Sequence, residues 1–514
     1  MTRPAALPTL PRWLHLALLL LLCATPLAHA IEIAKVSSTV LEDSEEPFSR
    51  RIYSYDIDVD SAGNLHLIYA KPVPGHDRCE IIYATGPSPT NLVKTLLETD
   101  GKLGSVTTEL LVTGINFVHV CYVKHQNDPD THLVHQTIQN GVPSEQHFVD
   151  HGGWHTKMQM MWPKPIFVRE AENSLSFVSP IIDVPNTWRA YPFAPSGNHP
   201  YRLADFVFDP EPIRFHVTYG DHANSHNGAP LHNLRYAHSD YSRQWTSETI
   251  DSNTSLWEME FWTSLVLDPA GNPILSTYRY AEHGGAYNTG TSLLLARQNG
   301  TNWHKQTIAG VIPGQTPPDH RAGMGGQLHV DDAGILYGAW DNSPDYPIDF
   351  DGQYGNVVMD HSVDGGPWQS KTQIEPFSAE GYCRLASLRT NLYVLVLGNY
   401  ADAKLYLIQL ESRRQWWRTA TDMRNGWRWT KDFGYFNVAS DPWIYHADLG
   451  WLYGTGISPS SLWFWTADLG WLWTRSSIYP YLWSQNRNAW LWYNGSKNPR
   501  WFRDMQSGEW LSLP

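Results

Sequence analysis

Cysteine, basic residues and long apolar runs are all scarce in this chain of 514 residues, and each scarcity excludes a class of protein. Three cysteines, Cys79, Cys121 and Cys383, lie beyond residue 30, and an odd number cannot form a complete set of internal disulfides. At most one bridge can form, so we expect packing to supply the stability. Beyond residue 30 no apolar run reaches the length of a membrane-spanning helix, which excludes a transmembrane segment.

The balance of charge is acidic, with 37 Lys and Arg against 51 Asp and Glu. This sign argues against nucleic acid or an anionic membrane as the main partner. It leaves an anionic substrate open, because a local basic cleft can exist on an acidic body.

The first thirty residues have the pattern of an export signal. Arg3 and Arg12 supply the positive start, residues 14–23 are apolar, and residues 28–30 form a small-residue cleavage site. We therefore expect residues 1–30 to be a signal peptide, with the mature chain secreted from a bacterium or held at its cell surface. Its removal takes away two arginines and moves the net charge from −14 to −16.

Helical periodicity is almost absent from this chain. The sequence instead contains short apolar runs that mostly recur every fifty to sixty residues. Three of the units begin with a turn that starts at Asp60, Asp268 or Asp332 and contains a glycine, a composition that favours a tight turn. Short apolar or alternating runs mark the units at residues 65–69, 117–122, 175–178, 215–219, 274–278, 335–340 and 392–397.

Short strands at this period are typical of four-stranded propeller blades. The sequence therefore predicts an all-β protein with a seven-bladed β-propeller over residues 31–415. A pair of β-sandwiches with coincidental spacing is the alternative. Residues 31–40 could complete the last blade and close the ring, which would protect its open edges.

The end of the chain has a different composition, since fifteen of the 25 tryptophans follow Glu411. Residues 447–451 return as residues 467–471, and Trp490 and Trp510 continue the period. We predict a small Trp/Tyr-rich β-hairpin repeat module over residues 416–514. Its indoles could be a carbohydrate-binding platform or the core of a module with few aliphatic residues, and we favour the core. The module resembles aromatic repeats at the C-termini of exported bacterial proteins, which implies attachment to the cell surface.

Propellers build their sites from separate blades, so the candidate residues lie far apart in sequence. Serine-elbow, zinc-protease and phosphate-loop motifs are absent. His135 and His155 are twenty residues apart, and Tyr219 and Arg235 are sixteen apart, a spacing that would place them on neighbouring strands. With the blade-start turns, this set resembles the ulvan lyases, secreted seven-bladed propellers that cleave uronate-containing algal polysaccharide by β-elimination. The resemblance covers roughly residues 45–410.

The resemblance implies a role for each residue of the set. Arg235 would hold the uronate carboxylate as negative charge develops. His135 or His155 would be the neutral base. Tyr219 would be the acid, or both base and acid if a nearby guanidinium stabilises its phenolate. Tyr278, Arg279 and Tyr280 are candidates for substrate binding.

The chemistry of β-elimination needs no cofactor, and the expected partner is an anionic, sulfated polysaccharide. A structural zinc or calcium ion is a separate hypothesis. Its candidate ligands are His222, His226, His238 and Cys383, although no tight ligand spacing selects them.

Two rival functions stay open. Residues 362–368 resemble the Asp-box turn of sialidase-type propellers, so a sialidase-like glycoside hydrolase is one alternative, although the clustered arginines of that group are not evident. The other is a non-catalytic propeller that binds glycans or serves as a surface scaffold, since propellers host many functions.

Overall fold

The structure is a computed structural model, and its described residues form two compact units, Ile33–Ser412 and Arg413–Pro514. All the secondary-structure elements among these residues are β-strands. No described helix could therefore cross a membrane. The structure describes residues 31–43, 54–76, 78–102, 108–126, 130–151, 155–161, 164–171, 174–181, 184, 187–193, 202–211, 213–226, 229–240, 244–254, 263–280, 291–300, 302–310, 321–331, 334–343, 356–362, 368, 372–376, 383–398, 404–414, 420–430, 433–440, 443–458, 461–475 and 478–513.

The first unit opens with strand β1 (Ile31–Asp43) and continues as seven blades in which antiparallel strands follow the order of the chain. Blade 1 has β2 (Tyr55–Val59), β3 (Leu65–Pro72), β4 (Arg78–Ser88) and β5 (Asn91–Lys102); blade 2 has β6 (Thr108–Gly114), β7 (Phe117–Gln126), β8 (Asp130–Gln139), β9 (Val142–Pro143) and β10 (His147–His151); blade 3 has β11 (Thr156–Met161), β12 (Lys164–Ala171), β13 (Ser174–Pro180) and β14 (Trp188–Pro192). Blade 4 has β15 (Arg202–Pro210), β16 (Ile213–His226), β17 (Ala229–Asp240) and β18 (Trp245–Thr254); blade 5 has β19 (Ser264–Leu267), β20 (Pro273–Tyr280), β21 (Thr291–Asn299) and β22 (Asn302–Gly310); blade 6 has β23 (Arg321–Val330), β24 (Leu336–Ser343), β25 (Asn356–Ser362) and β26 (Thr372–Glu375); blade 7 has β27 (Arg384–Leu388), β28 (Asn391–Leu397) and β29 (Lys404–Arg414).

The ring is closed by strands from both ends of this unit. Strand β1 pairs with β29 as the outermost strand of blade 7, which confirms that the first residues after the predicted signal complete the last blade. The innermost strand of each blade lies beside the innermost strand of the next, and β27 lies beside β2. The fold is therefore the predicted seven-bladed propeller.

Side chains of one blade accept backbone N–H groups from the next at the inner edge of the ring. An inner strand has a neighbour on one side only, so its remaining N–H groups need other acceptors. The acceptors are carboxylates and hydroxyls on or beside the inner strands, at 2.7 to 3.1 Å. The pairs are Ser54 with Thr108, Asp56 with Leu110, Asp58 with Val112, Asp60 with Asn116, Asp205 with Leu265, and Ser264 with Leu328.

The turns between the first and second strands have the geometry that their sequence predicts. The carboxylate of Asp60 accepts the N–H groups of Ala62 and Asn64 at 2.9 Å each, and Gly63 has a φ of 95°. Asp268 repeats this arrangement in blade 5. The third predicted turn is described from its glycine onward, and that glycine has a φ of 77°.

Apolar clusters fill the spaces between neighbouring blades. They lie between blades 7 and 1, 1 and 2, 2 and 3, 3 and 4, 4 and 5, and 5 and 6. Cys79 belongs to the cluster between blades 1 and 2, and Cys121 to the one between blades 2 and 3. These two and Cys383 are buried free thiols. Packing, without disulfides among the described cysteines, therefore holds the blades together.

The second unit is one antiparallel sheet in which eleven strands follow the order of the chain. Its strands are β30 (Thr421–Asp422), β31 (Trp427–Thr430), β32 (Gly434–Ser440), β33 (Trp443–His446), β34 (Gly450–Ser458), β35 (Ser461–Thr466), β36 (Gly470–Thr474), β37 (Tyr481–Ser484), β38 (Ala489–Tyr493), β39 (Arg500–Asp504) and β40 (Trp510–Leu513).

The two faces of this sheet have different side chains. In β38, Leu491 is buried while Trp490 and Trp492 lie half-buried on the other face, and the same alternation runs through the neighbouring strands. The buried cluster consists of leucine, isoleucine, phenylalanine, one alanine and one tyrosine, and none of the described tryptophans belongs to it. The interpretation of the indoles as the core is therefore wrong. Leucine and phenylalanine side chains fill most of the inside of the sheet, and the larger indoles lie on its outer face.

We expect the turn of blade 1 to contribute more stability than the matching turn of blade 5. Although burial opposes its charge, hydrogen bonds from Asn64, Asn116 and His66 lower the pKa of Asp60 to about 2. Asp60→Ala should lower the free energy of unfolding by about 2–4 kcal/mol, because it leaves several donors without an acceptor. The described bonds of Asp268 stay within its own turn. Asp268→Ala should therefore lower the free energy of unfolding by about half as much.

Denaturant titration of both variants measures these losses. The deficit of Asp60→Ala should be complete above about pH 4 and should vanish as the pH falls towards 2, because protonation of Asp60 removes its contribution. Equal losses in the two variants would show that the bond to Asn116 adds no stability.

Candidate active site

Tyr219 and Arg235 face each other directly on neighbouring strands of blade 4. They are backbone partners on β16 and β17, as the spacing of sixteen predicts. The Tyr219 hydroxyl lies 2.8 Å from Ser247 Oγ, and Arg235 donates to the same oxygen at 3.2 Å. Arg235 also donates to Thr249 Oγ1 at 2.8 Å. One hydroxyl on β18 therefore joins the phenol to the guanidinium.

This three-residue cluster has an enclosed end and an open end. Tyr219 is 4% exposed and packs in the apolar cluster between blades 3 and 4, where the edge of Phe193 contacts its ring. The bonds from Arg235 to Ser247 and Thr249 are at the surface. A permanent cation at the surface beside an ordered phenol can bind a carboxylate and hold a proton donor next to it.

His135 lies in the packing between blades 2 and 3. It is 5% exposed, its Nε2 is 3.0 Å from His119 Nδ1, and the rings of Phe167 and Trp188 contact it edge-on. Burial, together with the neighbouring His119 and His147, lowers the pKa of His135 to about 3. The imidazole is therefore neutral at pH 7, as a base must be, but its surroundings enclose it.

His155 directly precedes β11, the inner strand of blade 3. Its side chain is buried, and its carbonyl accepts the N–H of Glu170 at 2.9 Å. Tyr219 packs against blade 3 from the side of blade 4, and His135 packs against it from the side of blade 2. The described contacts therefore join Tyr219 to Arg235 in blade 4 and place Tyr219 and His135 in the packing on opposite sides of blade 3.

The candidate substrate-binding residues lie at the end of β20 in blade 5. Tyr278, Arg279 and Tyr280 pair through their backbones with Leu293, Ser292 and Thr291 of β21. Their side chains lie outside the described residues, so their role stays a prediction.

The candidate metal ligands lie in two separate parts of the ring. His222 and His226 are on β16, with side chains outside the described residues, and His238 is half-buried on β17 of blade 4. Cys383 precedes β27 of blade 7, where burial and the charge of Asp341 raise the pKa of its thiol. Blades 5 and 6 separate Cys383 from His238. The described part of the chain contains no cluster of three or more His, Cys, Asp or Glu that could hold a metal.

A belt of polar side chains lines the centre of the ring, one from the inner strand of each blade. We call it the channel belt; its members in blade order are Asp56, Glu109, Lys157, Asp205, Ser264, Gln327 and Arg384. Arg384 of blade 7 donates to Glu109 of blade 2 at 3.3 Å and to Gln327 of blade 6 at 3.2 Å. Lys157 donates to Glu109 at 2.9 Å. Contacts between blades that are not adjacent require side chains that point into the channel.

The charges of the channel belt do not cancel unless one carboxyl is protonated, since it has three acids and two bases. Burial and the charge of Glu109 together raise the pKa of Asp56 to about 7, although Arg384 and Lys157 oppose the rise. Burial also raises the pKa of Asp205, again against the cations. A carboxyl that titrates near neutral pH, beside other carboxylates and two cations, has the properties of a proton donor in catalysis.

Sequence reasoning missed the channel belt. Its signal is an alignment of the seven blades at the position before an apolar residue that is buried in six of the inner strands and half-buried in β27, as in Asp56 before Ile57, Glu109 before Leu110 and Asp205 before Phe206. The residue types vary from blade to blade, so the position is visible only once the inner strands are aligned.

No protein-family model and no curated protein matches the sequence. Similar solved structures include a polysaccharide lyase, with 10% identity, 74% of this chain and 99% of that chain covered, and a TM-score of 0.46. An α-L-arabinanase of Penicillium chrysogenum in complex with arabinobiose has 11% identity, 74% and 98% coverage and a TM-score of 0.42. An ulvan lyase bound to a GlcA–Rha3S ligand has 12% identity, 71% and 95% coverage and a TM-score of 0.42. These values are too low to support an inference about activity, and the fold assignment rests on the blades themselves.

We expect the channel belt to make stability depend on pH. A carboxyl whose pKa is higher in the folded state stabilises the fold at low pH, and this contribution is lost as the pH rises from about 4 to about 7. Asp56→Asn removes that titration. The free energy of unfolding of the variant relative to the wild type should therefore rise by more than about 1 kcal/mol over this interval.

Denaturant titrations at closely spaced pH values measure this difference. Lys305→Met, which removes a surface charge outside the channel belt, is the control and should leave the difference from the wild type constant. A constant difference for Asp56→Asn as well would show that Asp56 is ionised throughout.

Proposed function

We propose that this protein is an exported lyase that cleaves a uronate-containing, sulfated polysaccharide by β-elimination. The observation that supports it best is the direct pairing of Tyr219 with Arg235 through Ser247. The export pattern of residues 1–30 agrees with a polymeric substrate outside the cell.

The reaction places three demands on the protein. The carboxylate of the uronate needs a cation, because negative charge spreads onto it when the C5 proton leaves. A base must accept that proton. The bond from C4 to the glycosidic oxygen then breaks as the C4–C5 double bond forms, and an acid must protonate the departing oxygen.

Blade 4 has groups for two of these demands. Arg235 would bind the uronate carboxylate with its surface nitrogens. Ser247 can accept a hydrogen bond from Arg235 while it donates to Tyr219, which would stabilise a phenolate after the proton has left. Tyr219 would therefore protonate the leaving oxygen, and it could also be the base.

Between the two histidines, we assign the base to His155. It precedes the inner strand of blade 3, two residues before Lys157 of the channel belt. His135 is bonded to His119 within blade 2 and packs against Phe167 of blade 3, so it would act by holding blades 2 and 3 in position. No cofactor is required in this scheme.

A glycoside hydrolase is the second candidate, and the channel belt supports it. The pKa of Asp56 near 7 suits a general acid, and Glu109 or Asp205 could serve as the second carboxylate. In this case the substrate would bind at the mouth of the channel, and blade 4 would contribute binding only.

We expect the purified protein to release unsaturated sugar ends from ulvan, alginate or polygalacturonate. His155→Ala and Tyr219→Phe should each abolish the ultraviolet absorbance of these ends. Arg235→Lys should reduce it by about a hundredfold or more, since one ammonium cannot replace a bidentate guanidinium. The matched controls Tyr236→Phe and Arg214→Lys change the same residue types elsewhere in blade 4, and they should keep the activity.

The products separate the candidate functions. Reducing ends without absorbance would establish hydrolysis, and retention on the polymer without cleavage would establish a binding protein. Full activity of both His155→Ala and Tyr219→Phe would overturn the site assignment even if the protein is a lyase.

A further inference from the structure

A cavity of about 420 Å³ lies in the second unit, between the two copies of the repeated turn. The first copy contributes Asp448 and Trp451, and the second contributes Asp468. Arg500, the first residue of β39, and Lys497, from the segment before that strand, also line the cavity. The volume suits a small ligand such as one or two sugar rings.

The repeat places the two aspartates in equivalent positions. In the first turn His446 Nδ1 accepts the N–H of Leu449 at 3.1 Å, and in the second Thr466 Oγ1 accepts the N–H of Leu469 at 3.1 Å. The glycine after each leucine has a positive φ, of 77° and 70°. Each turn therefore has the same backbone course, and both aspartates reach the cavity.

Ion pairs hold the polar groups of the cavity in place. Arg500 donates to the carbonyl of Leu449 at 2.9 Å and also pairs with Asp468, so one guanidinium ties both turns together. Lys497 is 2.8 Å from Asp448. Two acids and two bases leave the lining without net charge. The cavity thus offers fixed donors and acceptors but favours neither an anionic nor a cationic ligand.

Two exposed aromatic rings form the apolar part of the lining. Trp451 is 54% exposed and Tyr445 is 41% exposed. They are backbone partners on β34 and β33, and their ring centroids are 5.4 Å apart at an angle of 74°. An aromatic ring in water beside paired donors and acceptors is suited to a ligand with one apolar face and a rim of hydroxyls.

We propose that this cavity binds a neutral sugar residue of a glycan chain. The apolar face of the sugar packs on Trp451, and its hydroxyls exchange hydrogen bonds with the Lys497–Asp448 and Arg500–Asp468 pairs. The proposal is independent of the activity of the propeller. It assigns to the second unit the task of holding the protein on a carbohydrate surface.

Isothermal titration calorimetry of the full mature chain tests the proposal. The probes are the neutral hexasaccharides of cellulose, xylan, mannan and chitin, with hexagalacturonate as the charged comparison. We expect at least one neutral probe to bind and hexagalacturonate to bind more weakly. Trp451→Ala and Asp448→Asn should each weaken the neutral probe by tenfold or more.

Trp510→Ala is the matched control, because Trp510 is 48% exposed in the same unit but does not line the cavity. It should leave the affinity unchanged. Binding to none of the neutral probes, or equal losses in the Trp451 and Trp510 variants, would overturn the proposal. Lyase activity on uronate polymers should be the same in all three variants, so failure here is distinct from failure of the proposed function.

Discussion

The backbone N–H groups at the inner edges of the blades set the main constraint on this propeller. Each inner strand has a strand neighbour on one side only, and an N–H group without an acceptor costs about 1–3 kcal/mol when it is buried. Carboxylates and hydroxyls of the preceding blade meet this need, as Asp56 does for Leu110 and Asp205 for Leu265. The bonds that satisfy the edges therefore also link one blade to the next around the ring.

The same constraint explains why the centre of the ring is charged. Asp56 and Asp205 serve as such acceptors on inner strands, and their carboxylates meet the other charged groups of the channel belt. Lys157 and Arg384 compensate most of their charge, while burial and the neighbouring Glu109 carboxylate raise the pKa of Asp56. A structural solution to edge pairing thus produces a group that could take part in acid–base chemistry. The Tyr219–Arg235 pair lies farther out in blade 4 and uses a different principle, a cation held at the surface by neighbouring hydroxyls.

The sheet of the second unit has large apolar side chains on both of its faces. Leucine and phenylalanine fill its buried side, and tryptophan and tyrosine occupy the other side. Neighbouring indoles cover one another edge to face, as Trp473 and Trp483 do with Trp490, which reduces their exposure to water without burying them in a core. The repeated turns interrupt this face at the cavity, where exposed rings meet charged groups.

The amino-acid pattern by itself determined the class and period of the fold, because a tight turn and an alternating strand are local properties. Asp60 with Gly63 shows this, as does the pairing of Tyr219 with Arg235, which lie on the two strands of one hairpin. Tertiary structure decided the rest. It enclosed His135 beside His119, and it brought Arg384 to Glu109 across 275 positions of chain. It also turned the indoles of the second unit outward. Those outcomes depend on which blades and faces pack together, and no local pattern encodes that choice.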